Sequence, residues 1–364
     1  MTKKIDKVFF FTVITLVILG VFIFISASLG VLAKNQTKFY SILFSQLVLG
    51  LCGGTLALIL FSKIDYKFWR KYSFYIFLVS IAFTLLVFVP GIGFSHGGAK
   101  RWISLGFTTF QPVEFLKIGF IMYFAAWLSW VKNKVQDFKF SILPTTILLG
   151  VVALVLLKQP DTKSVILLVL VSCGMLLISG AKIRYLILTF IIAVMALGGL
   201  ILFRPYLAER MKTFVDPSRD PSGSSYQLQQ SLIAVGSGGM FGRGFGQSIQ
   251  KYSYLPEPQG DSIFAVIGEE FGFVGSVLFI ILLLVFALRG LKIANKSPDT
   301  FSRLFVAGIV ILITAQSFIH IACAIGVFPL TGLPLVFVSQ GGTSLLLSLA
   351  AIGIILNISK FQKR

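Results

Sequence analysis

The chain has 364 residues, of which 56% are hydrophobic and only 12% charged, and its mean hydropathy is +0.93. A water-soluble globule is excluded, because so few polar residues could not cover its surface. The formal net charge of +19 comes from basic residues scattered over short loops with no nucleic-acid-binding motif, which makes anionic membrane lipid, and not nucleic acid, the partner for that charge.

A bilayer core takes roughly 20 apolar residues per helix. Stretches of that size recur at 8–29, 40–61, 73–90, 112–131, 141–157, 162–179, 183–203, 262–288, 304–327 and 343–358. The pattern predicts an all-α polytopic membrane protein of about ten transmembrane helices, one membrane domain over 1–364. The first run follows Lys3-Lys4-Ile5-Asp6-Lys7 and is too long for a signal peptide's apolar region, so it reads as a retained helix. Cys52, Cys173 and Cys323 lie in apolar stretches without CxxC spacing and read as small core residues.

With the N-terminus inside, alternation puts most loop lysines and arginines on the cytoplasmic side, from Lys63, Lys67, Arg70 and Lys71 to Lys360. The positive-inside rule therefore predicts that both termini are cytoplasmic. Acids show the opposite bias. Asp6, Asp65, Asp137 and Asp299 fall inside, and the remainder fall in outer loops or spans. Acidic residues contribute little to topology, so insertion does not explain this.

Between helices 7 and 8 the connection runs from about 204 to 261, far longer than the others, and long loops carry function or are disordered. The stretch Tyr226 to Val235 is amphipathic and predicts a helix lying along the membrane interface.

Several charged residues are candidates for chemistry. Asp261 stands at the outer mouth of the eighth helix, where a carboxylate can act as a general base or simply cap the helix. Glu269 and Glu270 fall two turns deeper, and carboxylates at that depth are functional or pair with a buried base. Glu114 and Lys117, at i and i+3, share a helix face near Asp161, so that Lys117 can take either acid as a structural ion pair or as part of a site. Lys100, Arg101 and Trp102 follow Gly97-Gly98-Ala99, a grouping that suits a pyrophosphate or an interfacial anchor. The cluster from Gly236 to Gly246 carries Arg243 but neither GxGxxG nor GK[ST], so it is a tight turn or a close-packing element and no nucleotide loop. His96 and His320 are isolated, and no metal-ligand spacing is visible.

Taken together, these segments resemble the SEDS family (shape, elongation, division and sporulation), and within it the FtsW and SpoVE division-type branch. The resemblance covers nearly the whole chain. It rests on Gly98-Ala99-Lys100-Arg101-Trp102-Ile103, on Phe110-Gln111-Pro112-Val113-Glu114 through Lys117, and on Lys158-Gln159-Pro160-Asp161. It also rests on Asp220-Pro221-Ser222-Gly223-Ser224-Ser225-Tyr226-Gln227, the glycine cluster, Leu255-Pro256-Glu257, Asp261 through Glu270, Gly332-Leu333-Pro334 and Gly341-Gly342-Thr343-Ser344.

The resemblance implies a peptidoglycan glycosyltransferase in the cytoplasmic membrane, at the division septum, that polymerises lipid II on the outer leaflet. Its implied partners are a class B penicillin-binding transpeptidase and other divisome proteins. Asp261 matches the family's catalytic aspartate, the base for the acceptor hydroxyl, with undecaprenyl pyrophosphate as leaving group. Lys100, Arg101, Arg243 or a divalent cation (Mg or Mn) would stabilise the leaving charge, and Glu114, Lys117 and Asp161 match positions lining the central cavity. A lipid II transporter and a scaffold for the transpeptidase are the readings from other classes. The chain departs from the family pattern at Gln259-Gly260-Asp261-Ser262, where His-Thr-Asp-Phe is common. It departs also at Lys163-Ser164, where a glycine near threonine is expected, and at Gln340, where tyrosine is usual.

Overall fold

The computed structural model describes residues 4–96, 99–104, 106, 108–203, 205–216 and 224–362. Gly97, Gly98 and the Asp220–Gly223 part of the family motif therefore lie outside the described residues. Among those described, eight helices are long and apolar enough to cross a membrane: α1 (Lys7–Leu32), α2 (Gln36–Lys63), α3 (Tyr66–Phe88), α4 (Pro112–Val131), α6 (Thr162–Ser179), α10 (Ile263–Asn295), α11 (Thr300–Ala324) and α12 (Gly342–Ser359). Two further apolar helices, α5 (Ile142–Lys158) and α7 (Ile183–Phe203), occupy the places of the fifth and seventh expected spans. Helices α4, α11 and α12 form the buried centre of the bundle, whereas α2 and α3 turn most of their apolar surface outward.

Three of the four acids that loop charges assign to the cytoplasmic side start helices. The carboxylate of Asp6 accepts the Phe9 N–H at the start of α1, and Asp65 accepts the Lys67 N–H before α3. Asp299 forms a capping box with Ser302 at the start of α11. Each supplies an oxygen to N–H groups that a helix end leaves unpaired.

The all-α expectation needs one amendment. Residues of the loop before α4 form a small antiparallel sheet in the order β1 (Gly93–His96), β2 (Ala99–Ser104), β3 (Thr109–Phe110). Runs this short, between turn residues and without apolar periodicity, carry little strand signal on their own.

The long connection is ordered where it is described, but not as an interfacial helix. It forms α8 (Pro205–Val215) and α9 (Ser224–Ser237). Helix α9 descends beside the first half of α10: Gln227 donates to the Ser262 hydroxyl at the top, and Val235 packs on Gly268 farther down. The chain then turns through Gly238–Gly246, passes through one helical turn at Gln250–Ser253, and returns to Asp261, making a re-entrant hairpin.

At the bottom of this hairpin α10 is broken at Gly272 (φ +66°, ψ −163°), a conformation open to glycine. The main-chain groups around the break pair with the glycine turn. Phe273 and Val274 N–H donate to the carbonyls of Gly239 and Met240, while the N–H groups of Arg243 and Gly244 donate to the carbonyls of Glu269 and Glu270. Irregular backbone at membrane depth is tolerated only when it is satisfied within the protein in this way. Close approach is what the glycine cluster provides, since a side chain at Gly238 or Gly242 would overlap the backbone of α10.

Candidate active site

At the end of the bundle that the loop charges assign to the outside lies a cavity of about 840 Å³. Its walls come from β2, the start of α6, α8, the Glu257–Asp261 segment and two loop strips, 328–334 and 340–344. Trp102, Ile201, Leu207 and Phe328 give it apolar surface beside charged groups.

Asp261 lines this cavity. Its carboxylate is not the helix cap, because the cap position of α10 belongs to Ser262, whose hydroxyl donates to the Pro256 carbonyl. Asp261 instead faces Gly332. A methyl group built on Gly332 would lie 2.9 Å from Asp261 Oδ2 and 3.6 Å from Lys163 Nζ, so the carboxylate and the ammonium flank one point on the wall. Lys163 donates to the Gly332 carbonyl.

From behind, α11 clamps the same strip. His320 Nδ1 lies 2.8 Å from the Leu333 carbonyl, and Gln316 Nε2 donates to the Pro334 carbonyl at 3.0 Å. Gln316 and His320 are one helical turn apart, so they present one polar stripe to one loop strip.

Arg101 also lines the cavity. Its guanidinium donates to the carbonyls of Gln159, at 3.1 Å, and Pro160, which tie β2 to the turn before α6. Lys100, the neighbouring residue on β2, is exposed and outside the cavity wall. Asp161 is fully buried behind the wall: its Oδ2 accepts the Ser164 hydroxyl at 2.8 Å, and among the described residues its Oδ1 has no hydrogen-bond partner.

Three further expected site residues, besides Lys100, lie away from the cavity. Glu114 and Lys117 pair at 2.8 Å, and Lys117 Nζ also donates to Gln316 Oε1 at 2.9 Å, in a separate small void between α4, α11 and α12. Lys117 is therefore balanced by Glu114, not shared with Asp161, and is linked to the wall of the large cavity through Gln316, which donates to the Pro334 carbonyl. The reason is helix geometry, since an i,i+3 pair on one face closes within a single turn.

Arg243 sits at the bottom of the re-entrant hairpin, 3.5 Å from Glu269 Oε1, and is not in the cavity. There Glu269 and Glu270 form a buried network. Glu269 accepts the Ser248 hydroxyl and the Ile249 N–H, and Glu270 accepts Lys251 Nζ at 2.7 Å and the Ser26 hydroxyl of α1. These intramembrane acids pin the hairpin to α1 and α10.

Sequence reasoning named none of Gly332, Lys163, Gln316 and His320 as a site residue. It met Gly332 in a family motif, Lys163 as a charge where the family resemblance predicts glycine, and His320 as an isolated histidine, and it passed over Gln316. Among the described residues no three His, Cys, Asp or Glu side chains gather into a metal-binding group, and of the two carboxylates lining the cavity Asp261 has Lys163 beside it, so the residues build no protein cage for a resident Mg or Mn ion and no step below passes through one.

Fold and cavity together define a polytopic integral membrane protein with a charged, partly apolar cavity at one end of its helical bundle. The chain belongs to the FtsW/RodA/SpoVE family of cell cycle proteins, which matches residues 6–364. It is 34% identical to stage V sporulation protein E of Bacillus subtilis over 363 residues, covering 100% of this chain and 99% of that protein. It is 38% identical to a probable peptidoglycan glycosyltransferase FtsW of Geobacter sulfurreducens over 358 residues, covering 98% and 95%. Among solved structures, it superposes with a TM-score of 0.81 on a chain from a peptidoglycan synthase complex in which polymerization and crosslinking are coordinated, at 26% identity and covering 98% of both chains. The rod shape determining protein RodA of Thermus thermophilus shares the fold, with a TM-score of 0.70 at 24% identity over 99% of this chain and 98% of that one.

Proposed function

We propose that this chain is a peptidoglycan glycosyltransferase that polymerises lipid II at the outer face of the cytoplasmic membrane, in septal synthesis during division. The observation that carries the reading is Asp261 on the wall of an 840 Å³ cavity that also presents Arg101, Lys163 and Arg210. Such a cavity suits a ligand with sugar hydroxyls, a diphosphate and a lipid. The names of the FtsW relatives and the synthase complex that the fold matches support the same reading.

In the proposed reaction Asp261 takes the proton of the acceptor sugar hydroxyl as its oxygen attacks the anomeric carbon of the donor. The bond from that carbon to the diphosphate breaks on the opposite face, the electron pair leaves with undecaprenyl pyrophosphate, and the anomeric centre inverts. Arg101, held by two carbonyls, meets the developing phosphate charge with the N–H groups it has left. A class B penicillin-binding transpeptidase is the proposed partner, with other divisome proteins.

The deciding experiment is lipid II polymerisation by the purified chain with its transpeptidase. Wild type is expected to make glycan strands, and Asp261→Asn is expected to make none while retaining its fold. Equal rates would remove Asp261 from the chemistry, and movement of lipid II across vesicles without polymerisation would favour a transporter.

A further inference from the structure

The charges within the bundle fall into two kinds. Lys117 is neutralised by Glu114 at 2.8 Å, Lys251 by Glu270 at 2.7 Å, and Arg289 by Asp6 at 3.0 Å. Lys163 differs from all three. Among the described residues it has no carboxylate oxygen within 4.0 Å, and its one hydrogen bond is to the Gly332 carbonyl. A lysine has three N–H donors, so two remain, on a cavity wall beside Asp261.

The spacing of the two groups is informative. Lys163 Nζ and Asp261 Oδ2 lie farther apart than the 4.0 Å of an ion pair, and no farther than the sum of their 3.6 Å and 2.9 Å distances to the point beside Gly332. One oxygen atom hydrogen-bonded to both groups, at about 2.8 Å on each side, bridges a separation of up to about 5.6 Å, which covers most of that range.

We propose that Lys163 is a catalytic residue that binds the acceptor hydroxyl oxygen opposite Asp261, doing there what a divalent cation would otherwise do. The inference rests on the glycosyltransferase reading. As Asp261 removes the hydroxyl proton, the oxygen gains negative charge before its bond to the anomeric carbon is complete. Lys163 donates to that oxygen and keeps its own proton throughout; the electron pair of the broken bond leaves with the diphosphate. The surroundings fit this role better than they fit a metal. The cavity carboxylates are Asp261 and Glu257, no third acid joins them among the described residues, and a fixed ammonium already stands beside Asp261. A dication placed there would meet that charge at close range.

The experiment uses the full chain with its transpeptidase and lipid II. Wild-type polymerisation is expected to be unchanged by EDTA. Lys163→Met is expected to lower kcat about 100-fold with little change in KM, the size of effect seen when one donor to a developing oxyanion is removed, with partial recovery on adding Mn²⁺ and in Lys163→Arg. Loss of wild-type activity in EDTA, or a Lys163→Met enzyme as fast as wild type, overturns the proposal. A measurement independent of turnover is Mn²⁺ titration followed by EPR. Wild type is expected to show no Mn²⁺ site that depends on Asp261, and Lys163→Gly to gain one that Asp261→Asn removes. Mn²⁺ binding by wild type that Asp261→Asn abolishes overturns it. If wild type makes no glycan under any condition, the glycosyltransferase reading fails, and the titration still decides whether Lys163 holds the cation's place.

Discussion

The carboxylate of Asp261 rests against the backbone of Gly332, 2.9 Å from where a side chain at that glycine would begin. Gly332 also has φ +69°, a conformation that costs an L-residue about 1–2 kcal/mol. The candidate base is thus placed by a loop strip more than seventy positions away in sequence, which is itself held by Lys163, Gln316 and His320.

Gly332→Ala is expected to displace Asp261 while leaving the helical bundle intact. Misplacing a reacting group by about 1 Å can cost about 100-fold in rate, so polymerisation should fall by at least 10-fold with the melting temperature of the detergent-solubilised protein little changed. A parallel fall in both would mark Gly332 as a stability residue only.

The hairpin bottom is expected to tolerate no side chain at Gly272. A methyl group there would overlap the Gly242 backbone nitrogen and meet φ +66°. Gly272→Ala should separate the glycine turn from α10, expose the main-chain groups that pair across the break, and reduce the yield of folded protein in the membrane, read by fluorescence-detected size exclusion. Gly150 has no heavy atom within 4 Å of a built methyl group, and Gly150→Ala serves as the control with wild-type yield.

Lys251 and Glu270 are both fully buried at 2.7 Å, so removing one leaves an unpaired charge. Each of Lys251→Met and Glu270→Gln is expected to destabilise by about 3–5 kcal/mol, and the double variant by less than the sum. Thermal unfolding of the four proteins measures the coupling, and simple additivity would show that the pair does not interact.

Arg101→Lys keeps the charge but cannot reach both the Gln159 and Pro160 carbonyls with the planar fork that holds them now. A loss of polymerisation of about 10-fold is expected, with a raised KM for lipid II. Unchanged kinetics would mean that the charge alone matters.

Much of the architecture is written locally along the chain. Apolar runs long enough to span a bilayer fix the helices because lipid offers the backbone no hydrogen bonds. Aspartates before those runs start the helices by capping them, as Asp6 and Asp299 do. The i,i+3 spacing of Glu114 and Lys117 likewise foretells their pairing, since both partners belong to one turn.

Tertiary structure alone decided which charges remain for a ligand. Lys117, Lys251 and Lys163 all stand within the bundle, but two meet carboxylates and the third meets a carbonyl. The partners of Lys251 and Lys163 lie on other elements, so no local pattern encodes them. The same holds for the amphipathic stretch Tyr226–Val235, whose composition suits an interface. It descends along α10 because Gly238–Gly246 can pair with a helix broken at Gly272, a match between two segments that neither carries alone.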